Sequence, residues 1–331
     1  MGVQIREVTE DEQDIRLDRW FKNNFPELKH GQLEKLLRKG QIRVDGKRMK
    51  ANARLNSGQE VRVPPFRADY SVYEKKVEEL SDADIKFMKS LVLYKDDDVI
   101  AINKPAGLPT QGGSKQNRHV DGMLDALKFD GQRPKLVHRL DKDTTGVLLL
   151  ARTAQAAKSI GYAFKEREAR KYYWGITVGA PDRDEGVIDV PLAKAQGRGG
   201  ERMMARDDEE GKSAVTYFKV MERVGKRSSW LAFWPRTGRT HQIRVHAELI
   251  GTPLLGDRKY IGDGSLLQGT EGSIYDGLHL HARRLVIPYV LGGKKKLIDV
   301  VAPLPDSMKK TWKYFGFDAN DKTDPFEDIR E

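Results

Sequence analysis

The sequence predicts an α+β fold with a largely antiparallel sheet, preceded by a small α/β unit. Three observations carry this expectation. Many short β-prone runs stand with only a few helical periodicities between them. Glycine, proline and acidic turn signals separate those runs at short intervals. A polar, charged stretch at residues 67–84 divides a short basic segment from a long one. The 331 residues, 38% of them apolar, suit two domains.

Residues 1–12 are polar and acidic and are expected to form a flexible N-terminus. Residues 13–66 read as the small unit. Ile15, Trp20 and Phe21 suggest a first amphipathic helix, ended by Pro26. Leu33, Leu36 and Leu37 give a second helix its apolar stripe, and Gly40 fits its C-terminal cap. Ile42 and Val44 alternate with polar residues as in a half-buried strand, and Asp45-Gly46 signals a tight turn. Val61 and Val63 mark another short strand, closed by Pro64-Pro65. Residues 67–84 read as a linker, 85–316 as the large domain and 317–331 as an acidic disordered tail.

In the large domain, "LVLYKDDDVIAINKPAGL" reads as strand, acidic turn, strand and a Pro-Gly break. Ala157, Ile160 and Phe164 give residues 154–167 a helical period. Residues 171–178, 214–221 and 229–234 are β-prone. Thr240 is placed to cap a helix through Ile243, Ala247 and Ile250, with Gly251 after its end. "LHLHARRLVIPY" reads as a late strand, and no internal repeat is visible.

The formal net charge is +10, a surplus that attracts polyanions, nucleic acid first and anionic membrane second. It is unevenly spread. Residues 29–50 hold eight bases, among them Lys29, Lys35, Arg38, Lys39, Arg43 and Lys47, against two acids, Glu34 and Asp45. Lys35, Arg38 and Lys39 lie three to four residues apart, on the helix side away from the leucines. A solvated face accounts for one such helix. Continuation of the cluster into the turn and strand favours a phosphate-facing patch, to which Arg16 and Arg19 are assigned as well.

The absence of cysteine excludes disulfides, thiolate zinc sites and cysteine nucleophiles. The N-terminus lacks the apolar core of a signal peptide. No apolar run approaches the roughly 20 residues that span a bilayer. A soluble, cytoplasmic protein with no membrane partner is expected. His241, His246, His279 and His281 invite a metal reading, but without cysteine or an H-E-x-x-H pattern packed histidines are the simpler one. Neither a G-x-S-x-G elbow nor a G-x-x-x-x-G-K-[ST] phosphate loop is present. Carboxylates remain. In "HRLDKDTTG", Asp141 stands between Arg139 and a Thr/Gly turn, directly before the apolar run Val147–Leu150. A buried strand fixes the loop before it, the rigid support a catalytic group needs. By local pattern alone, Asp141 or Asp143 capping the turn is the more economical account.

Several segments in order alter that balance. "HRLDKDTTGVLLLA", "VIAINKPAGLPTQGG", "KYYWGITVG", "RTGRTHQIRVHAELIGTPLLGD" and "LHLHARRL" together resemble the motifs of the RluA/RluC family of pseudouridine synthases, most closely the RluC branch. The N-terminal unit resembles the S4-like RNA-binding fold, and the resemblance spans roughly residues 14–316. The chain departs from the family at Thr110-Gln111-Gly112-Gly113, where V-H-G-G is usual, at Gly175, where K-x-Y-x-A has alanine, and at Thr145 in place of serine.

The resemblance implies isomerisation of uridine to its C-glycoside in large-subunit (23S) ribosomal RNA: the N1–C1′ bond breaks, the uracil turns, and C5 bonds to C1′. No redox change or net hydrolysis occurs, so no cofactor or metal is implied. Asp141 is then the catalytic residue, by attack on C1′ or by removal of the C2′ proton. Arg244 pairs with it and keeps it ionised, in preference to an exposed pairing with Glu248. Tyr173 sets a ring against the uracil and is a candidate to take the C5 proton. Ile243 walls the base pocket. Arg139 fills the stack vacated when the uridine is flipped. The basic N-terminal unit holds RNA by its phosphates, which positions more than it specifies. A monomer is expected. The alternative is a non-catalytic RNA-binding factor of ribosome assembly on the same scaffold.

Overall fold

The computed structural model describes residues 2–66, 80–112, 118–197, 200–261 and 267–329. Two compact units divide the chain, residues 1–79 and 80–331.

The first unit contains β1 (Gln4–Glu7), α1 (Leu17–Asn24), α2 (His30–Arg38), β2 (Arg43–Val44) and β3 (Glu60–Val63). Its strands form an antiparallel sheet in the order β1-β3-β2. Both helices turn their apolar stripes inward: Leu17, Trp20, Phe21, Leu33 and Leu37 pack with Val44, Leu55, Val61 and Val63. Asp45 and Gly46, both at positive φ, make the tight turn after β2. The N-terminal residues expected to be flexible are instead ordered. Gln4–Glu7 pair with Glu60–Val63, Val8 is buried, and the Trp20 indole donates to Glu12 at 2.8 Å. An edge strand with no buried face carries no alternating pattern, so the sequence gives no sign of it.

The second unit holds α3 (Asp82–Ser90), β4 (Val92–Lys95), β5 (Val99–Lys104), α4 (Val120–Met123), β6 (Lys135–Leu136), β7 (Thr145–Ala151), α5 (Ala154–Lys165), β8 (Arg170–Val178), β9 (Glu185–Asp189), β10 (Leu192–Gly197), β11 (Gly200–Ala205), β12 (Val215–Val224), β13 (Ser228–Pro235), α6 (Gln242–Leu249), β14 (Leu280–Leu291), β15 (Lys294–Val301) and α7 (Asp306–Phe315). The main sheet runs β4-β5-β7-β14-β8-β13-β12-β9, with β15 on β14 and β6 on β7. Its pairings are antiparallel except β7 with β14, a short parallel join of Thr145 and Gly146 to His281 and Ala282. This is the expected largely antiparallel sheet. At the join, Gly146 has a φ of +107°, and a Cβ there would run into the Ala282 carbonyl. Only glycine lets the two backbones meet this closely. The glycine that ends "HRLDKDTTG" is therefore fixed by the sheet.

Two boundaries differ from expectation. The segment 67–84 is ordered at its end, because Ser81 caps α3 by accepting from the Asp84 N–H at 3.1 Å; residues 67–79 lie outside the described residues. The acidic tail expected to be disordered packs on the sheet. Phe326 is buried beside Tyr172 and Trp234, and Asp324 pairs with Arg284 at 3.1 Å. Two phenylalanines, Phe317 and Phe326, anchor a segment whose average composition is polar. α7 went unread in the sequence although Gly316, at a φ of +81°, supplies its left-handed C-terminal cap.

Candidate active site

Asp141 sits on the loop into β7, and the structure holds that loop from both sides. The Thr110 hydroxyl donates to the Leu140 carbonyl at 2.7 Å and accepts from the Leu140 N–H at 3.1 Å. On the other side, Lys104 is fully buried at the end of β5 and its Nζ donates to the carbonyls of Lys142, Leu108 and Pro105 at 2.8–2.9 Å. The residues before and after Asp141 are thus tied to buried side chains, while its own side chain remains 28% exposed. Burial pushes the Lys104 pKa down to about 7, against the pull of Asp143 and Asp141. The three carbonyls match the three N–H donors of an ammonium. Thr110 is one of the positions at which the chain departs from its family's pattern, and the departure supplies a contact; Gly113 lies outside the described residues.

The wall opposite this loop comes from β8, β13 and α6. Alternation along β8 sorts its residues. Tyr172 and Trp174 face the aromatic core with Trp230, Trp234, Trp312 and Phe326, while Tyr173 is half-buried in the cleft. Gly175, the second departure, is closely packed: a Cβ would lie 2.8 Å from Leu254 Cδ2 and 3.1 Å from Phe233 Cε2, so an alanine there would require the Leu254 side chain to shift. Thr145, the third, bonds His281 Nδ1 at 2.8 Å. Burial raises the Tyr173 phenol above its ordinary pKa, and the Asp141 charge adds to that. A phenol held protonated suits a ring surface and hydrogen-bond donor better than an acceptor for the C5 proton. Ile243 is buried at the base of the wall with Phe233, Leu278 and Leu280.

Arg244 is not paired as expected. Asp257, and neither Asp141 nor Glu248, takes its Nε and Nη2, at 2.7 and 2.6 Å, in a buried bidentate pair. Burial alone would weaken this guanidinium, but the Asp257 bond and charge more than offset that, and Asp141 acts on it through the field. Arg244 is therefore a fixed cation near the carboxylate. The reason is geometric: two fork nitrogens satisfied by one carboxylate leave less for a second. The group that approaches Asp141 is His241, with Nε2 at 3.9 Å from Oδ2. His241 also occupies the N-cap of α6 expected for Thr240. It has a φ of +54° and no capping bond from its side chain, whose Nδ1 instead meets the Tyr260 hydroxyl at 2.8 Å. Burial first, then Arg244, push its pKa down to about 4, so the ring is neutral at pH 7. Thr240 itself accepts from Arg139 Nη2 at 3.0 Å, which ties the exposed Arg139 to the cleft rim.

Asp141, Arg139, Tyr173, Ile243 and Arg244 all line one cleft of about 490 Å³. Of the other histidines, His279 bonds Leu255 and Thr311, and His281 bonds Thr145 and Ala302. On the first unit, Lys35, Arg38 and Lys39 are exposed while Leu33 and Leu37 are buried, so the charged face lies where the periodicity placed it. Arg43 and Lys47 continue it, Arg43 donating to the carbonyls of Gly40 and Gly46. Lys29 and Arg19 are exposed; Arg16 is engaged by Asp18. Thr110, Lys104, His241 and Asp257 carry no assigned role in the sequence reading. A lysine ending an apolar strand, "VIAINK", was a signal for one of them, since a buried lysine needs acceptors.

The RNA pseudouridylate synthase family matches residues 98–249, the stretch that contains the Asp141 loop, β8 and α6. The ribosomal large subunit pseudouridine synthase C of Rickettsia typhi is 37% identical over 296 residues, 88% of this chain and 94% of that protein. Its namesake in Escherichia coli is 35% identical over 313 residues, 93% of this chain and 95% of that protein. The solved structure of human RNA pseudouridylate synthase domain containing 4 superposes with a TM-score of 0.59 at 28% identity, over 72% of this chain and 98% of that one. The chain belongs to the RluA/RluC family of RNA pseudouridine synthases.

Proposed function

We propose that this enzyme converts uridines of large-subunit ribosomal RNA to pseudouridine, with Asp141 acting on the sugar of a flipped nucleotide. The observation that carries the reading is the pinning of Asp141 on both sides, by Thr110 and Lys104, at the mouth of a nucleotide-sized cleft. A carboxylate held this way meets the positional demand of glycosidic chemistry without reorganising. Tyr173 offers a ring for the uracil, Ile243 the apolar wall, and Arg244 a fixed cation near Asp141. The relatives' names supply the choice of ribosomal RNA. Arg139 at the rim is suited to enter the gap the base leaves, since a guanidinium both stacks and bonds. The basic face of the first unit would hold RNA phosphates in an S4-like manner.

Pseudouridine mapping of large-subunit RNA tests this, from cells with the wild-type protein, with Asp141→Asn, and without it. We expect sites lost equally in the last two. The same sites in all three would reject the proposal.

A further inference from the structure

Two side chains at the start of α6, His241 and Arg244, stand near Asp141, and both are held by the short segment 257–260. Asp257 takes Arg244. Tyr260 takes His241: its hydroxyl meets Nδ1 at 2.8 Å, and the rings lie edge to face, centroids 5.6 Å apart at 88°. Tyr260 is buried outside the lining of the cleft, and its N–H bonds the Asp257 carboxylate at 3.3 Å. The Arg244 guanidinium lies over its ring, 5.0 Å from the centroid.

His241 pays for its place in backbone conformation. A non-glycine residue at a φ of +54° is uncommon, and persists where its surroundings over-determine it. An N-cap side chain usually turns back onto the free N–H groups of its helix. The His241 ring makes no such bond and directs Nε2 toward Asp141 Oδ2, 3.9 Å away. That is just beyond hydrogen-bond range, and catalytic contacts often tighten only in the substrate complex. The two flanking oxygens decide which ring nitrogen carries the proton. Burial holds the Tyr260 phenol protonated, its pKa up at about 12, so its O–H can donate to Nδ1. An ionised carboxylate only accepts. A neutral ring has one N–H, and only Nε2–H satisfies both sides. The other tautomer sets an imidazole lone pair against the carboxylate.

We infer that Tyr260 and His241 form a positioning relay: Tyr260 fixes the His241 tautomer, and His241 holds one carboxylate oxygen of Asp141 while the other is left for the sugar. This rests on the role of Asp141 proposed above. A neutral donor orients the carboxylate and leaves its charge intact for the reaction.

The test compares wild type, His241→Asn, His241→Gln, Tyr260→Phe and the double variant Tyr260→Phe/His241→Gln on an unmodified transcript of large-subunit ribosomal RNA. Filter binding gives Kd and release of the C5 proton gives KM and kcat. The asparagine amide reaches the place of Nδ1 but not of Nε2; the glutamine amide reaches that of Nε2. We expect His241→Asn to lower kcat about thirtyfold with Kd within about twofold, as for a reacting group displaced by part of an ångström. His241→Gln should recover kcat to within about fivefold of wild type. Tyr260→Phe, which keeps the ring over Arg244, should lower kcat about tenfold, a loss that vanishes in the His241→Gln background, where no tautomer is left to set. Nitrogen NMR of histidine-labelled protein without RNA reads the tautomer itself: Nε2–H at His241 in the wild type and a mixture in Tyr260→Phe, with the signal assigned by its loss in His241→Gln. A wild-type kcat in His241→Asn would overturn the relay. So would a His241→Gln variant as slow as His241→Asn, because a donor at the Nε2 position would then not be what Asp141 requires. An equal loss from Tyr260→Phe in both backgrounds, or Nδ1–H on the wild-type ring, would remove Tyr260 from it. A wild type that releases no proton from the transcript would count against the activity, and the spectra, which need no RNA, would still decide the tautomer.

Discussion

Asp141 owes its position to two buried side chains that bond its neighbours' backbone, Thr110 and Lys104. Thr110 satisfies both backbone groups of Leu140, and both would be left buried without a partner by Thr110→Val, a change of nearly constant volume. A lost partner for a buried backbone group costs about 1–3 kcal/mol, and a displaced reacting group about 100-fold in rate per ångström. We expect Thr110→Val to lower kcat at least about tenfold, with KM little changed and thermal stability modestly reduced. A kcat equal to wild type would show that Lys104 alone suffices. The same hydroxyl is a departure from the family's pattern, and it makes two hydrogen bonds that an apolar side chain there cannot make.

At the scale of the element, β8 organises the site by its alternation. One face of the strand presents Tyr173 and Lys171 to the cleft, and the other seats Tyr172 and Trp174 against an aromatic core closed by the C-terminal segment. Phe326 packs against Tyr172, the rings tilted by 30° with centroids 5.6 Å apart, and Arg284 is shared by Asp299 and Asp324. The tail thus backs the strand that carries the site. Phe326→Ala should destabilise the protein by about 3 kcal/mol, the usual range for a buried phenylalanine, read as a lowered Tm or midpoint in urea. A Tm unchanged to within a degree would mean that the tail rests on the sheet without supporting it.

For the whole molecule, the distribution of charge supports the proposed division between holding RNA and chemistry. The exposed bases of the first unit, Lys35, Arg38, Lys39, Arg43 and Lys47, sit on a compact body with its own core, residues 1–79. Its removal should flatten the salt dependence of RNA binding by several phosphate contacts, about 0.7–0.9 each, and raise KM far more than it lowers kcat. Binding assays across a salt series with the chain lacking residues 1–79 decide this; an unchanged slope would move the RNA contact elsewhere.

Local periodicity and turn chemistry were enough to read α2 from its leucines, the turn at Asp45-Gly46, and the strands around residues 171–178 and 229–234, because these depend on neighbours in the chain. The order of motifs was enough to single out Asp141 and Tyr173. The sequence did not reveal that β1 pairs with β3, that Phe326 closes a core, or that Arg244 turns to Asp257. Each of these depends on a partner 13 to more than 150 residues away, and composition near the residue does not encode it. The same is true of the cleft. Asp141 was legible as an acid before a buried strand. That Tyr173 and Lys171 line one cleft with it follows only from the packing of β8 beside β14 and β13.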